Sequence, residues 1–403
     1  MNKVEVTKDV YWVGAVDWDV RSFHGFTYST HRGTSYNAYL IADEKIALVD
    51  TVHEAFADEL LARVREIVAP ERIDYIVVNH VEIDHSGSLR EIAAAAPRAE
   101  IVCSPRAPEG IQRYFRLGRE LRTVKTGAEL KLGRRTLRFV EIPMLHWPDS
   151  MVSYLVEDRL LLSNDAFGQH LASSQRFAED IAPEIVMDEA VKYYANILAP
   201  FSNLVKRKIP EIVEMGIQPK MIAPSHGVIW KNPQTIVDAY LRWASGAAEE
   251  RAVILYDTMW GSTQLMARAV MEGIVAEGVP ALLLRVPVTD RGDIMKEVFL
   301  AKGVLVGSST INNGMLPTLA PIMEDLVGLK FKGKLAAAFG SFGWGGGAVT
   351  EIETALKKAG FRLFGSNAQL KWRPDEADLA RCVSFGREFA KALKEHKAGD
   401  STQ

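Results

Sequence analysis

Cysteine is nearly absent from this chain of 403 residues, which has only two, Cys103 and Cys382. Two thiols far apart in sequence cannot build a disulfide framework, an iron–sulfur cluster or a four-thiolate zinc site, so any metal must be held by histidine and carboxylate. Long uncharged apolar runs are missing too. No segment approaches the roughly 18 residues that a membrane helix needs, and the first residues, MNKVEVTKDVYWVGAVDWDV, carry charges throughout, unlike a signal peptide. A dominant charge is also lacking. The formal net charge is -3, with no basic run interleaved with aromatics, so neither nucleic acid nor an anionic membrane is expected as partner. These absences imply a soluble, cytoplasmic protein whose cysteines are small buried apolar residues.

What is present is ordinary for a folded protein: 48% hydrophobic and 25% charged residues. The length suggests two or three domains, and no internal repeat is found. Texture changes at Trp243-Ala-Ser-Gly-Ala-Ala-Glu-Glu250, which divides the chain into expected domains 1–249 and 250–403. In the first, β-rich runs at 37–41, 46–51, 75–79, 100–103, 135–142, 151–156 and 160–163 are mixed with helical segments, notably 54–68 and 191–208. This pattern implies two sheets with helices outside. In the second, apolar runs at 252–256, 281–286, 303–306, 335–339 and 361–364 alternate with helical stretches. That alternation predicts a five-stranded, doubly wound parallel sheet covered on both faces.

The sharpest motif follows the run 75–79: His80-Val81-Glu82-Ile83-Asp84-His85, then Ser86-Gly87. Four ligand-type side chains fall within six residues at a strand end. On an extended segment His80, Glu82 and Asp84 share one face, and the turn can swing His85 towards a second metal. His146, Asp165 and His226 occupy similar strand-end positions. A single strand-end histidine is usually a hydrogen-bonded or surface residue, and an Asp beside a turn is usually a turn former. Four of the nine histidines in equivalent positions of one domain point instead to a metal site.

The second domain offers three loops after strands. Thr258-Met259-Trp260-Gly261-Ser262-Thr263, leading into a helix from about Gln264, is a phosphate cradle built of backbone N–H groups, hydroxyls and a helix N-terminus. It lacks the Gly-x-x-x-x-Gly-Lys of an ATPase, which favours a non-hydrolysed monophosphate. Alone it reads equally well as a helix cap. Ser309-Thr310-Ile311-Asn312-Asn313-Gly314 and Ser341-Phe342-Gly343-Trp344-Gly345 follow the third and fourth strands, on the edge where doubly wound sheets bind ligands. Trp260 and Trp344 either pack in the core or lie against a flat ring.

The first domain resembles the metallo-β-lactamase superfamily, whose strand-end motif reads His-x-His-x-Asp-His; Glu82 stands here for the second histidine. The added negative charge and hard oxygen donor favour iron over zinc. This substitution, with the three loops, makes the whole chain similar to the flavodiiron proteins. That resemblance implies a metallo-β-lactamase-like αββα sandwich followed by a flavodoxin-like sheet of order 2-1-3-4-5, with two irons and FMN as cofactors. It assigns His80, Glu82 and His146 to one iron, Asp84, His85 and His226 to the other, and Asp165 to the bridge. It further implies an oxidoreductase that reduces O2 to water or NO to N2O, working as a head-to-tail homodimer or dimer of dimers. No Cys-x-x-Cys pair closes the chain, so the expected donor is a separate rubredoxin-like protein, with a reduced deazaflavin as the other option. Softer candidates beside the metals are His24, Trp147, His170 and Tyr193. The alternative expectation is a zinc hydrolase joined to an electron-carrying flavodoxin domain.

Overall fold

In a computed structural model, residues 3–25 and 27–396 are described. They cluster into two compact units: one of 1–23, 30–193 and 201–241, the other of 24–29, 194–200 and 242–403.

The first unit is built on two sheets. One runs Val4–Thr7, Val10–Trp12, Tyr39–Ala42, Ile46–Val49, Ile73–Val78, Glu100–Cys103, Leu121–Thr123. Its first three pairings are antiparallel and the rest parallel. The other runs Glu129–Lys131, Thr136–Glu141, Met151–Leu155, Leu160–Asn164, Met221–Pro224. Alternation along the strands decides the layers. Ile41, Val49, Val77 and Val102 join Phe139, Leu155, Leu160 and Leu162 in the core between the sheets. Their neighbours Leu40, Leu48, Ile76 and Ile101 point the other way, onto Leu60, Val64, Leu89, Ile92 and Ile111 from helices. Two-sided burial makes these strands continuously apolar and therefore legible in sequence.

The expected helix 191–208 is not continuous. Helix Pro183–Tyr193 passes into a wide turn at Tyr194–Leu198 and a tight one at Ala199–Phe201 before helix Ser202–Glu214 begins. Pro200, whose ring locks its backbone and whose nitrogen carries no proton, stands inside that break.

The main sheet of the second unit is parallel throughout, in the order Ala281–Arg285, Glu249–Tyr256, Ala301–Ser309, Leu335–Phe342, Arg362–Leu363. This is 2-1-3-4-5. The sheet has six strand segments rather than five, because Ala368–Lys371 pairs with the C-terminal half of Leu335–Phe342, beyond Arg362–Leu363. Gly365, at φ 93°, turns the chain between the two pieces. Both cysteines are buried, and burial pushes their thiols up, Cys103 to about 12 and Cys382 to about 11.

Helix Glu376–Glu395 begins with a reciprocal cap: Asp375 accepts from the Asp378 N–H at 2.8 Å and Asp378 accepts from the Asp375 N–H at 3.1 Å. Cys382, Phe385, Phe389 and Leu393 then fall on one face and pack with Met266, Val270 and Ile274 of helix Ser262–Ala276. The helices approach so closely that a Cβ on Gly386 would lie 2.2 Å from the Val270 carbonyl oxygen, and one on Gly273 2.0 Å from that of Val383. Gly386→Ala therefore forces the helices apart. We predict a loss of about 1–3 kcal/mol, seen as a lower urea midpoint at unchanged slope; an unchanged midpoint would contradict this packing.

Candidate metal centre and ligand cavity

Seven side chains meet at one edge of the first unit's sheets. His80 follows strand Ile73–Val78, Asp165 follows Leu160–Asn164, and His226 follows Met221–Pro224. His146 lies in the connection after Thr136–Glu141, and its peptide bond with Leu145 is cis. The segment after His80 is not extended as expected: Ile83–Ser86 forms a helical turn. Each residue of a helix rotates by about 100°, so Asp84 and His85 turn away from His80 and Glu82. Ser86 holds the turn by donating to the carbonyls of Val81 (2.7 Å) and Glu82 (2.9 Å).

Two groups result. In one, single atoms of His80, Glu82, His146 and Asp165 all lie within 4.8 Å of one another; in the other, those of Asp84, His85 and His226 do. Asp165 belongs to both sides. Its Oδ2 is 3.6 Å from His80 Nε2 and 3.4 Å from His146 Nε2, while its Oδ1 is 2.8 Å from His85 Nε2 and 3.8 Å from His226 Nε2. Tyr193 donates to that Oδ1 at 3.1 Å and Ser225 at 3.4 Å. Glu82 Oε2 spans His80 (3.2 Å) and His146 (3.3 Å), and Asp84 Oδ2 lies 3.1 Å from His226 Nε2.

Partners behind the histidines fix their orientation. His80 Nδ1 lies 3.1 Å from Asp149 Oδ2, which also accepts the Val81 N–H at 2.8 Å; His226 Nδ1 donates to the Ser35 carbonyl at 2.8 Å. Sequence reading assigns Asp149 no role, because an Asp between Pro148 and Ser150 reads as a turn former. Of the softer candidates, Trp147 stands edge-on to His80 at 5.1 Å between centroids, and His170 stacks on Phe23 at 4.3 Å and takes a 2.8 Å hydrogen bond with Thr34. His24 is exposed and groups with the other unit.

The electrostatics are those of a site prepared for cations. Burial opposes charge on His80, His85 and His146, but the carboxylates around them outweigh it and push them up to about 10, about 9 and about 10. Burial alone would raise Asp165, yet the charges of His85 and His146 beside it hold it well below the ordinary carboxylate range. Asp84 Oδ1, His85 Nε2 and Asp165 Oδ2 are buried without hydrogen-bond partners. Buried polar atoms are rarely left so, and a metal pair fits these orphans and this nitrogen–oxygen donor set. Loading the metal-free protein with Fe(II) at pH 7 is expected to release about three protons, one each from His80, His85 and His146. The stability those protons lend the metal-free fold is complete below about pH 6.5 and lost as pH rises through about 9 and 10, while metal affinity rises over that window. Calorimetry in buffers of different ionisation heat tests this; a release independent of pH would sink it.

The second unit carries a cavity of about 570 Å³ at the C-terminal edge of its sheet. It is lined by Met259, Trp260 and Ser262 of the first loop, Ser309 to Asn313 of the second, and Ser341 to Gly345 of the third. Four predicted residues lie behind the lining. Thr258 Oγ1 accepts the Gly261 N–H at 3.0 Å, and Gly261, at φ 86°, starts helix Ser262–Ala276. Thr263 is fully buried, its hydroxyl 3.0 Å from that of Ser309 and 2.9 Å from that of Ser341, so it knots the three loops together. Gly314 pairs back with Ile311. Trp260 and Trp344 are 91% and 90% exposed, at the rim and not in the core. Trp372 and Arg373 complete the lining from a fourth loop. Sequence reading misses that loop because it ends the sheet at strand 361–364; the available signal was Arg373-Pro374, since a residue before proline is held extended. Hydroxyls, amides and a helix N-terminus at one end and aromatic rings around the mouth fit a phosphorylated flat cofactor.

Comparison with known proteins follows this division. Residues 34–227 match the ODP family beta lactamase model and residues 254–386 the flavodoxin model. The nitric oxide reductase of Moorella thermoacetica is 51% identical, over 96% of this chain and 98% of that one. The anaerobic nitric oxide reductase flavorubredoxin of Escherichia coli is 45% identical, over 96% of this chain and 82% of that one. Among solved structures, rubredoxin oxygen:oxidoreductase from Desulfovibrio gigas superposes with a TM-score of 0.95 at 36% identity, covering 98% of this chain and 99% of that one. The flavodiiron protein from Giardia intestinalis does so at 0.95 and 34%, covering 98% of each chain.

Proposed function

Since the chain belongs to the flavodiiron proteins, we propose that His80, Glu82 and His146 hold one iron, Asp84, His85 and His226 the other, and that Asp165 bridges them. The protein is an oxidoreductase of FMN and a non-haem diiron centre, reducing nitric oxide or dioxygen. The observation that carries the ligand assignment is the bridging carboxylate, whose two oxygens are turned to different histidine pairs. When bound, the irons supply redox equivalents and open positions for a diatomic gas, and FMN supplies the electrons.

The protein's own groups orient and protect that chemistry. Asp149 and the Ser35 carbonyl fix the tautomers of His80 and His226, leaving Nε2 of each turned inward. Burial, with the Asp165 charge next, raises Tyr193 well above the ordinary tyrosine range, so its hydroxyl keeps a proton at the bridging Oδ1. The edge of Trp147 covers His80 and His146, and Phe23 and Tyr36 cover His226, which excludes water. Nitric oxide is the proposed preferred substrate, favoured by the names of the relatives at 51% and 45% identity; oxygen is the second reading, from the Desulfovibrio gigas relative. The proposed donor is a separate rubredoxin-like carrier, in keeping with the names of two relatives. No described helix is long and apolar enough to cross a membrane, and the cytoplasm is the proposed location.

Steady-state consumption of NO and of O2, with one reduced rubredoxin as donor, tests the reading. NO turnover is expected to exceed O2 turnover. His146→Ala should lower both by roughly 100-fold or more, since even groups behind a ligand cost 10–100-fold, while its bound FMN absorbance persists. Full activity in that variant would end the ligand assignment.

A head-to-tail homodimer, alone or paired into a tetramer, is the proposed assembly. Its support is the aromatic rim of the cavity, where Trp260 and Trp344 are 91% and 90% exposed and Trp372 60%, a grouping that monomeric proteins seldom leave open. Sedimentation should give at least a dimer, and Trp344→Glu should weaken it with a matching loss of turnover on dilution. A fully active monomer would refute the arrangement.

A further inference from the structure

On the reading that the cavity takes FMN, we infer that Arg373 raises the reduction potential of that flavin by stabilising its reduced anion. The first argument is charge. Among the described residues that line the cavity, Arg373 alone carries a formal charge; the others are hydroxyl, amide, aromatic, aliphatic and glycine.

The second argument is position. Glu249–Tyr256, Ala301–Ser309, Leu335–Phe342 and Ala368–Lys371 lie side by side as parallel strands, and each feeds one loop into the cavity. The phosphate cradle follows the first of these strands and Arg373 follows the fourth. Neighbouring strands stand about 4.8 Å apart, so three steps separate the two loops by roughly 14 Å. A phosphate seated at the N-terminus of helix Ser262–Ala276 therefore leaves Arg373 at the far end, where the ring system must lie.

The third argument is that this fourth loop is held. The Trp372 N–H donates to the Phe342 carbonyl at 2.8 Å, continuing the strand pairing. The Trp372 ring covers Gly343, where a Cβ would come 3.1 Å from it. Trp372 also sits at φ 63°, a region that bulky residues rarely occupy and that clusters at ligand sites. Strand pairing and ring contact together turn Arg373 to the mouth.

The chemistry follows from where charge appears. An external one-electron carrier delivers two electrons in turn, and oxidised flavin takes them with one proton at N5, giving a monoanion with its charge on the N1–C2 carbonyl side. A second proton, at N1, gives the neutral reduced form. A guanidinium beside the ring favours the monoanion. It therefore makes the flavin easier to reduce and delays the second protonation to lower pH.

Arg373→Gln, Arg373→Lys and, as a control, Lys371→Gln are compared in the full-length FMN-loaded protein. Lys371 is exposed and outside the cavity lining. Each is titrated with reductant against a reference dye across the neutral pH range, and FMN affinity is measured on the apoprotein. Arg373→Gln should shift the two-electron equilibrium about tenfold towards oxidised flavin, which is about 30 mV. The pH at which the potential changes slope should rise by about one unit. Arg373→Lys should restore most of both, and Lys371→Gln should change neither. A potential and slope break unchanged in Arg373→Gln would overturn the inference. So would a large loss of FMN affinity with the potential unchanged, which would make Arg373 a phosphate clamp. Failure of the unmodified apoprotein to take up FMN would instead remove the reading beneath.

Discussion

The Asp165 carboxylate sits in the interior, 1% exposed, with histidine nitrogens against both of its oxygens. An ionised carboxylate taken out of water costs several kcal/mol unless charge and hydrogen bonds are returned to it. Here the return is unequal. Oδ1 receives the hydroxyls of Tyr193 and Ser225, while Oδ2 has no hydrogen bond. The surrounding carboxylates Glu82, Asp84 and Asp149 add to the same negative field, and protons on His80, His85 and His146 offset it while no metal is bound. The two-sheet frame is what makes this crowding sustainable. The grouped side chains sit at strand ends or on the short segments that leave them, whose strands are already paired, so the loops cannot relax to separate like charges.

Most of this arrangement was legible because histidine–carboxylate motifs and strands both leave local marks. Strands buried on two faces are continuously apolar, and the run 100–103 coincides with strand Glu100–Cys103 while the ends of others differ by up to three residues. Ligands at strand ends stand beside those runs. The failures share another cause: they depend on contacts distant in sequence. Asp84 leaves the face of His80 because Ile83–Ser86 curls into a turn pinned by Ser86, and six residues of sequence do not announce that. Asp149 meets His80 and the Val81 N–H, 69 and 68 positions earlier. The last strand of the second unit breaks at Gly365 into two pieces, and the outer piece carries Trp372 and Arg373 to the cavity. A two-residue strand followed by a polar one does not read as a single sheet position.

The two sites handle solvent in opposite ways, and each suits its contents. A metal needs fixed donors and a low dielectric, and the proposed ligands His80, His85 and Asp165 are almost wholly buried. The cavity keeps its hydroxyl knot inside, with Thr263, Ser309 and Ser341 buried, and its rings at the mouth. A group that must receive electrons from an external donor needs an accessible edge, because transfer weakens steeply with distance. Rigid depth and open rim are thus both properties of one sheet edge: glycines and hydroxyls below, tryptophans above.

The position of Glu82 extends this logic to the identity of the metal. Of the seven grouped donors it has the most exposed side chain, 17%, against 1% for Asp165 and 11% for Asp84. A carboxylate in place of a neutral imidazole adds a full negative charge to a centre that already contains two other acids, Asp84 and Asp165. That charge is least costly where water still reaches it, and the solvent side of the first group is that place. There it also spans His80 and His146, so it is shared by two ligands of the same group. An added hard, anionic donor strengthens binding of a trivalent ion more than of a divalent one, which is of no use to zinc and of direct use to an iron that changes valence. The departure from the hydrolase pattern thus stands where the fold bears it at least cost.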